Sequence, residues 1–233
     1  MKSTKGTLML RQLLTVGFLA GAFAPAALPA DGTAKDHYFE SGRNADAEWT
    51  GVRTSVMLRR GKNATAQEVG EGYDFRSGDQ FRIRLQANDN GFAYLVFQDA
   101  KGYKLLYPAK DAKARSNQMR AFEERLVPSR AKEWLTFDNK PAIEGLYLIY
   151  SPKAVPELEK IRTGSGMLSK SEFDELMAEN GKSTSMIFDE VEDEESGELP
   201  STYYVEKVAT GRTFLVRRMD LVHRSAPRKE GER

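Results

Sequence analysis

Phe81-Arg82-Ile83-Arg84-Leu85-Gln86 and Gly91-Phe92-Ala93-Tyr94-Leu95-Val96-Phe97, joined by Asn88-Asp89-Asn90, decide the fold class. In the first run Phe81, Ile83 and Leu85 alternate with arginine and glutamine, the period-two pattern of a strand with one face on a core. Asn90-Gly91 is the pair that a tight hairpin turn favours, because both central residues of that turn need positive φ. The second run is apolar at successive positions and reads as an interior strand covered on both faces. Asp99-Ala100-Lys101-Gly102 makes another turn, and Tyr103-Lys104-Leu105-Leu106-Tyr107 returns as far as Pro108. The pattern predicts three consecutive antiparallel strands, a meander.

Working outward, Val52, Thr54, Val56 and Leu58 alternate with Arg53, Ser55, Met57 and Arg59 and predict a strand that starts near Gly51. Glu133–Phe137, Gly145–Tyr150, Thr184–Phe188, Tyr203–Val205, Thr213–Val216 and Met219–Arg224 are further strand candidates, rich in aromatic and branched residues. Asp111–Glu124 is polar and reads as a loop. A helical insertion spans about residues 154–181, with one short helix at Pro156–Ile161 and a second beginning at Ser169. There Ser169 and Glu172 form a capping box, Leu168 is placed to staple against Phe173, and Asn180-Gly181 ends the helix. This helix is expected to pack on the edge of the β domain. The fold class is therefore mainly β: an antiparallel β-sandwich, with an immunoglobulin-like topology as one option although the Cys…Trp…Cys framework is absent. Residues 51–224 make one domain, preceded by a polar, flexible leader at 31–50 and followed by a disordered tail at 225–233.

The first thirty residues read differently. Lys2, Lys5 and Arg11 precede an uncharged run from Gln12 to Ala30, whose apolar heart is Leu13–Ala20 and whose end is small and proline-containing. These are the three regions of an export signal, with cleavage expected after Ala26 or Ala30. Pro25 and Pro29 argue against a spanning helix. The chain has no cysteine, so a lipidated amino-terminal cysteine and a disulfide framework are both excluded. Losing those three basic residues turns the formal charge of +1 into −2. A near-neutral domain of that kind is expected to carry no electrostatic footprint for nucleic acid, which usually shows as a basic patch or stripe, so no nucleic-acid partner is expected. The expected address is periplasmic or secreted.

Phe75-Arg76-Ser77-Gly78-Asp79-Gln80-Phe81-Arg82-Ile83, Asn90-Gly91-Phe92-Ala93-Tyr94-Leu95, Gly102–Pro108, Trp134–Phe137 and Glu144–Tyr147 resemble, in order and spacing, a bacterial family known as domain of unknown function 4384. The resemblance covers roughly residues 70–152, and Asp220–Arg224 is similar as well. Phe92-Ala93-Tyr94 departs from the family, which usually has Gly-Tyr directly after the turn. The resemblance implies a β-rich domain of exported or envelope proteins and implies no particular chemistry. Ser77-Gly78-Asp79 reads as a tight turn, and Phe75, Tyr94 and Tyr107 as core fillers.

Candidate chemistry is sparse. His37 and His223 are the only histidines, and neither has a neighbouring nitrogen or sulfur ligand in sequence. Ser129-Arg130-Ala131-Lys132 matches S-x-x-K, but Pro128 and the following Trp134 strand give it no helix to sit on. Asn63-Ala64-Thr65 reads as a polar loop, and Gly164-Ser165-Gly166 as a flexible joint without a phosphate-binding lysine. The acidic run Asp189–Glu195 lacks the framework that curls around calcium and reads as a solvated mobile loop. No catalytic, cofactor-binding or metal residue is assigned. The expected function is a non-catalytic, exported envelope or secreted binding module, with an envelope protein or cell-wall glycan as partner. Tyr203 and Tyr204 are the candidates for an exposed aromatic patch, because adjacent strand residues face opposite ways and one of the two can then face solvent. A calcium-stabilised structural domain and a carboxylate-dependent hydrolase are the alternatives.

Overall fold

The computed structural model describes residues 32–43, 49–61, 63–99, 102–110, 112–179, 186–193, 198–207 and 214–225. The chain divides into two units, 1–31 and 32–233, and every described residue belongs to the second. The expected export signal, Asn180-Gly181, Thr184-Ser185, Glu194-Glu195, Thr213 and the 226–233 part of the tail lie outside the described residues.

The elements in chain order are α1 (Ala34–Arg43), β1 (Trp49–Arg59), β2 (Gln67–Val69), β3 (Asp74–Arg76), β4 (Gln80–Ala87), β5 (Gly91–Asp99), β6 (Gly102–Tyr107), β7 (Gln118–Met119), β8 (Glu124–Val127), β9 (Leu135–Thr136) and β10 (Ala142–Ser151), then α2 (Pro156–Thr163), β11 (Met167–Leu168), α3 (Lys170–Glu179), β12 (Met186–Asp193), β13 (Glu198–Lys207) and β14 (Leu215–Arg224). They form two seven-stranded sheets packed as a sandwich. The first runs β12-β13-β1-β4-β8, with β2 beside β1 and β9 beside β4. The second runs β11-β6-β5-β10-β14-β3, with β7 beside β5. The second sheet is mixed, because β3 pairs parallel to β14. Each sheet holds more strands than either immunoglobulin layer.

Alternation places Val52, Val56, Leu58, Ile83 and Leu85 of the first sheet against Leu95, Leu146, Leu148 and Leu221 of the second, all buried in one core. The period-two readings at β1 and β4 correspond to these inward faces. β5 lies between β6 and β10, as its unbroken apolarity implies. Ala93 and Leu95 face the main core, whereas Tyr94 and Val96 face a second cluster beneath the helical insertion. In that cluster Leu158, Ile161, Phe173 and Leu176 pack against Tyr103, Leu105 and Ile149, and the Phe173 ring stacks on Tyr103 at 3.8 Å. The insertion thus covers the outer face of the second sheet, while β11 takes its edge. Its capping box forms as the spacing predicts: Ser169 N–H donates to Glu172 Oε2 at 2.7 Å and Glu172 N–H to Ser169 Oγ at 3.2 Å.

The meander is corrected. β4 and β5 are consecutive but belong to opposite sheets, and β4 pairs instead with β1 and β8. No positive φ occurs at Asn90 or Gly91, so the connection is not the hairpin turn that Asn-Gly favours. Asn88 is buried and fixes the crossing. Its Oδ1 accepts from the Gly51 N–H at 2.8 Å, and its Nδ2 donates to the carbonyls of Tyr38 and Trp49. Two further readings merge or shrink: residues 215–224 make one continuous strand, and Glu133–Phe137 contributes only the two-residue β9.

The supposed leader differs from its reading more strongly. It contains α1, which lies on the outer face of the first sheet with Ala34 and Tyr38 fully buried against Tyr203 and Val205. The acidic run is likewise not a loop over Asp189–Asp193, which are the end of β12. An edge strand tolerates such charge, because charged residues there discourage pairing with another sheet.

Candidate functional site

Where β4 and β9 of one sheet diverge from β5, β6 and β10 of the other, the main core opens into a cleft of about 340 Å³. Phe81, Phe97, Leu106, Leu135 and Leu146 give it an apolar floor, and Lys104, Asp138 and Glu144 stand among its polar lining residues. Phe81 stacks with Phe137 at 4.6 Å, and Phe137 with Phe75 at 4.9 Å, so the floor rests on a fixed aromatic row. Phe97, Leu106 and Leu135 are only partly buried, leaving apolar surface at the mouth. Burial raises the Glu144 carboxyl above its ordinary value, against the opposing effect of His223. An apolar floor with a few placed polar groups is the usual construction of a ligand seat.

Beside the cleft, Ser77 and His223, together with the cleft-lining Glu144, have the residue types of a hydrolytic triad. Ser77 Oγ is 3.0 Å from His223 Nε2, and Glu144 Oε1 is 3.7 Å from His223 Nδ1. The second distance is too long for a hydrogen bond. The His223 side chain has no exposure to solvent. The amides that would face a developing oxyanion are also engaged: Ser77 N–H donates to Arg224 O, Gly78 N–H to Phe137 O and Asp79 N–H to Arg76 O. This geometry ties the turn between β3 and β4 to β14. Gly78, at φ +88°, supplies the left-handed residue of that turn, and Asp79 Oδ2 accepts from Arg76 N–H.

A second polar group lies beside β1 and β13. Glu71 is buried and accepts from Thr54 Oγ1 at 2.8 Å and from the Tyr204 hydroxyl. Burial raises its carboxyl above the ordinary 4.5 despite those two donors. The folded protein therefore binds a proton here at pH values where the unfolded chain has released it. Stability falls as pH rises from about 4.5 through the folded-state value. Glu71→Gln keeps an acceptor for both donors and removes that slope. Urea titrations of both proteins across acid and neutral pH should show the variant gaining relative stability as pH rises; a constant difference would refute the raised carboxyl.

The positions singled out by sequence are not gathered here. His37 is on α1, stacked on Trp49 at 4.3 Å. Ser129 and Lys132 are exposed in the segment before β9. Among the described residues no group of three or more His, Cys, Asp or Glu side chains could hold a metal ion. Tyr203 and Tyr204 form no exposed patch. Tyr203 lies under α1 and Tyr204 faces the main core, at 3% and 0% exposure. Alternation does put them on opposite faces of β13, but both faces are covered. The cleft residues escaped sequence reading because they come from five strands or their flanks, each looking like ordinary core.

Residues 74–154 match the family model described as Domain of unknown function (DUF4384), the family and segment to which the sequence motifs pointed. No curated protein and no solved structure matches the chain. The matched segment includes every residue lining the cleft. It does not include β1 or β14, which pair with β4 and β10.

Proposed function

We propose that this chain is an exported, non-catalytic binding module of the bacterial envelope, and that the cleft is where it holds a partner protein. The observation that carries this reading is the cleft itself, a place where the core stays open between the sheets and apolar side chains meet solvent. Its apolar floor favours a leucine- or phenylalanine-sized side chain over a hydroxyl-covered sugar, and Lys104, Asp138 and Glu144 can orient the backbone or charged neighbours around that anchor. The amino-terminal arrangement of Lys2, Lys5, Arg11, the apolar run and Ala24-Pro25-Ala26 supports export. No helix among the described residues is long and apolar enough to cross a membrane.

The reading is tested by placing a photo-cross-linking residue at Leu135 in the full chain, expressed in its own cells. One defined polypeptide should be captured, and Leu106→Glu, which puts a charge into the floor, should reduce capture about tenfold. Capture unchanged by Leu106→Glu would refute the cleft as the seat. Amino-terminal sequencing of the envelope fraction should find the chain beginning at Ala27 or Asp31. An intact Met1 in that fraction would refute cleavage.

A further inference from the structure

The outward face of β1 and β4 carries charge that its neighbours do not neutralise. Alternation points Arg53, Ser55, Met57 and Arg59 of β1 away from the core, and pairing sets them beside Gln86, Arg84, Arg82 and Gln80 of β4. Arg53 and Arg59 are six residues apart, so the row is about 20 Å long at strand spacing. α1 covers the β13 side of this sheet but leaves the row half-open.

The guanidinium groups are fixed in different ways. Arg59 donates through Nε and Nη2 to Gln80 Oε1, and Arg82 through Nε and Nη2 to the carbonyls of Glu133 and Arg130. Both lie over the Trp134 indole, at 4.3 Å and 4.5 Å from its centroid, so two cations share one aromatic ring. Arg82 is 6% exposed, and burial together with Arg59 disfavours its charge. Among the described residues, neither Arg53 nor Arg59 has a carboxylate partner. Arg84 has Glu68, at 2.7 Å. Glu133 is paired with Arg130, and Glu124 stands exposed at the Arg53 end. A row with excess positive charge, in which the Arg53 side chain makes no hydrogen bond among the described residues and that of Arg59 bonds only Gln80, is a seat for anions.

We infer that this face binds a linear acidic glycan along β1, with the Arg59–Trp134–Arg82 stack as its fixed end. The extended row matches a polymer better than a single headgroup. Of the exposed large apolar side chains, Ile143 and Phe188 stand on β10 and β12, and Phe122, at the Gln86 end of the row, is packed against Tyr38 and Phe39, so the row has no free apolar insertion for a membrane. Single-stranded nucleic acid is disfavoured because the two guanidinium groups occupy the indole where a base would stack. The inference does not rest on the cleft, and the two surfaces together would let the module join a partner protein to an acidic polysaccharide.

The test is calorimetric titration of the full domain with polygalacturonate, with neutral dextran as the control polymer. Binding should weaken with salt, and Arg53→Gln combined with Arg59→Gln should weaken it about tenfold. Arg218→Gln, which removes an exposed charge from the other sheet, should change it less than about twofold. Melting curves verify that each variant is folded. Equal loss in the Arg218 variant, equal binding of dextran, or tighter binding to anionic vesicles or single-stranded DNA would overturn the inference.

Discussion

Tyr38→Ala is expected to destabilise the domain by about 3–5 kcal/mol, the usual cost of deleting a fully buried aromatic ring. Tyr38 has no exposure. Its ring packs edge-on against Phe39, Tyr203 and Phe122 with centroids 5.2–5.6 Å apart, and its hydroxyl donates to Gln86 at 3.2 Å. Tyr38→Phe keeps the ring and loses only the hydroxyl, so it should cost about 1 kcal/mol. Urea denaturation of the three proteins separates the two contributions. An alanine variant within about 1 kcal/mol of wild type would mean that α1 is a loose appendage.

Gly91→Ala should cost about 3 kcal/mol, at the upper end for overpacking a core. A Cβ at this position would stand 2.5 Å from Tyr150 Oη and 2.6 Å from the Ser151 carbonyl oxygen. Neither neighbour can readily move. Tyr150 Oη donates to Asp89 O at 2.6 Å, and Ser151 belongs to β10, which pairs with β5 along its length. Adding Tyr150→Phe should recover only part of the loss, since the Ser151 contact persists. Thermal melts of the single and double variants check this. A Gly91→Ala protein as stable as wild type would mean that the crossing between sheets is looser than these contacts imply.

These two positions also show how far the sequence could be read. Local alternation identified β1 and β4, unbroken apolarity placed β5 in a sheet interior, and the Ser169–Glu172 box marked the start of α3, because each signal is contained within a few residues. At Asn88–Gly91 the sequence correctly announced a turn. The sheet that a strand joins after its turn depends on distant partners, here Gly51, Tyr150 and Ser151, and those moved β5 into the other sheet. α1 was missed because its buried contact rests chiefly on Ala34 and Tyr38, too few apolar positions for a helical stripe. The same helix explains the buried Tyr203: strand parity states which way a residue points, not what lies over it. For the candidate site, the resemblance located the segment that lines the cleft, but no motif revealed an opening formed by strands that diverge. The arginine row could be seen as alternating charges; only the structure shows that β1 and β4 bring them together and that two of them share the Trp134 ring.

The position of β14 also has a consequence in time. It lies between β10 and β3 in the second sheet, and near its end His223 contacts Ser77 across 146 residues of chain. Until this stretch is available, β10 lacks one partner and β3 has none in its sheet. Such distant pairings make folding slow and late. For a chain exported as proposed above, this delay would leave the second sheet open until β14 has followed the rest across.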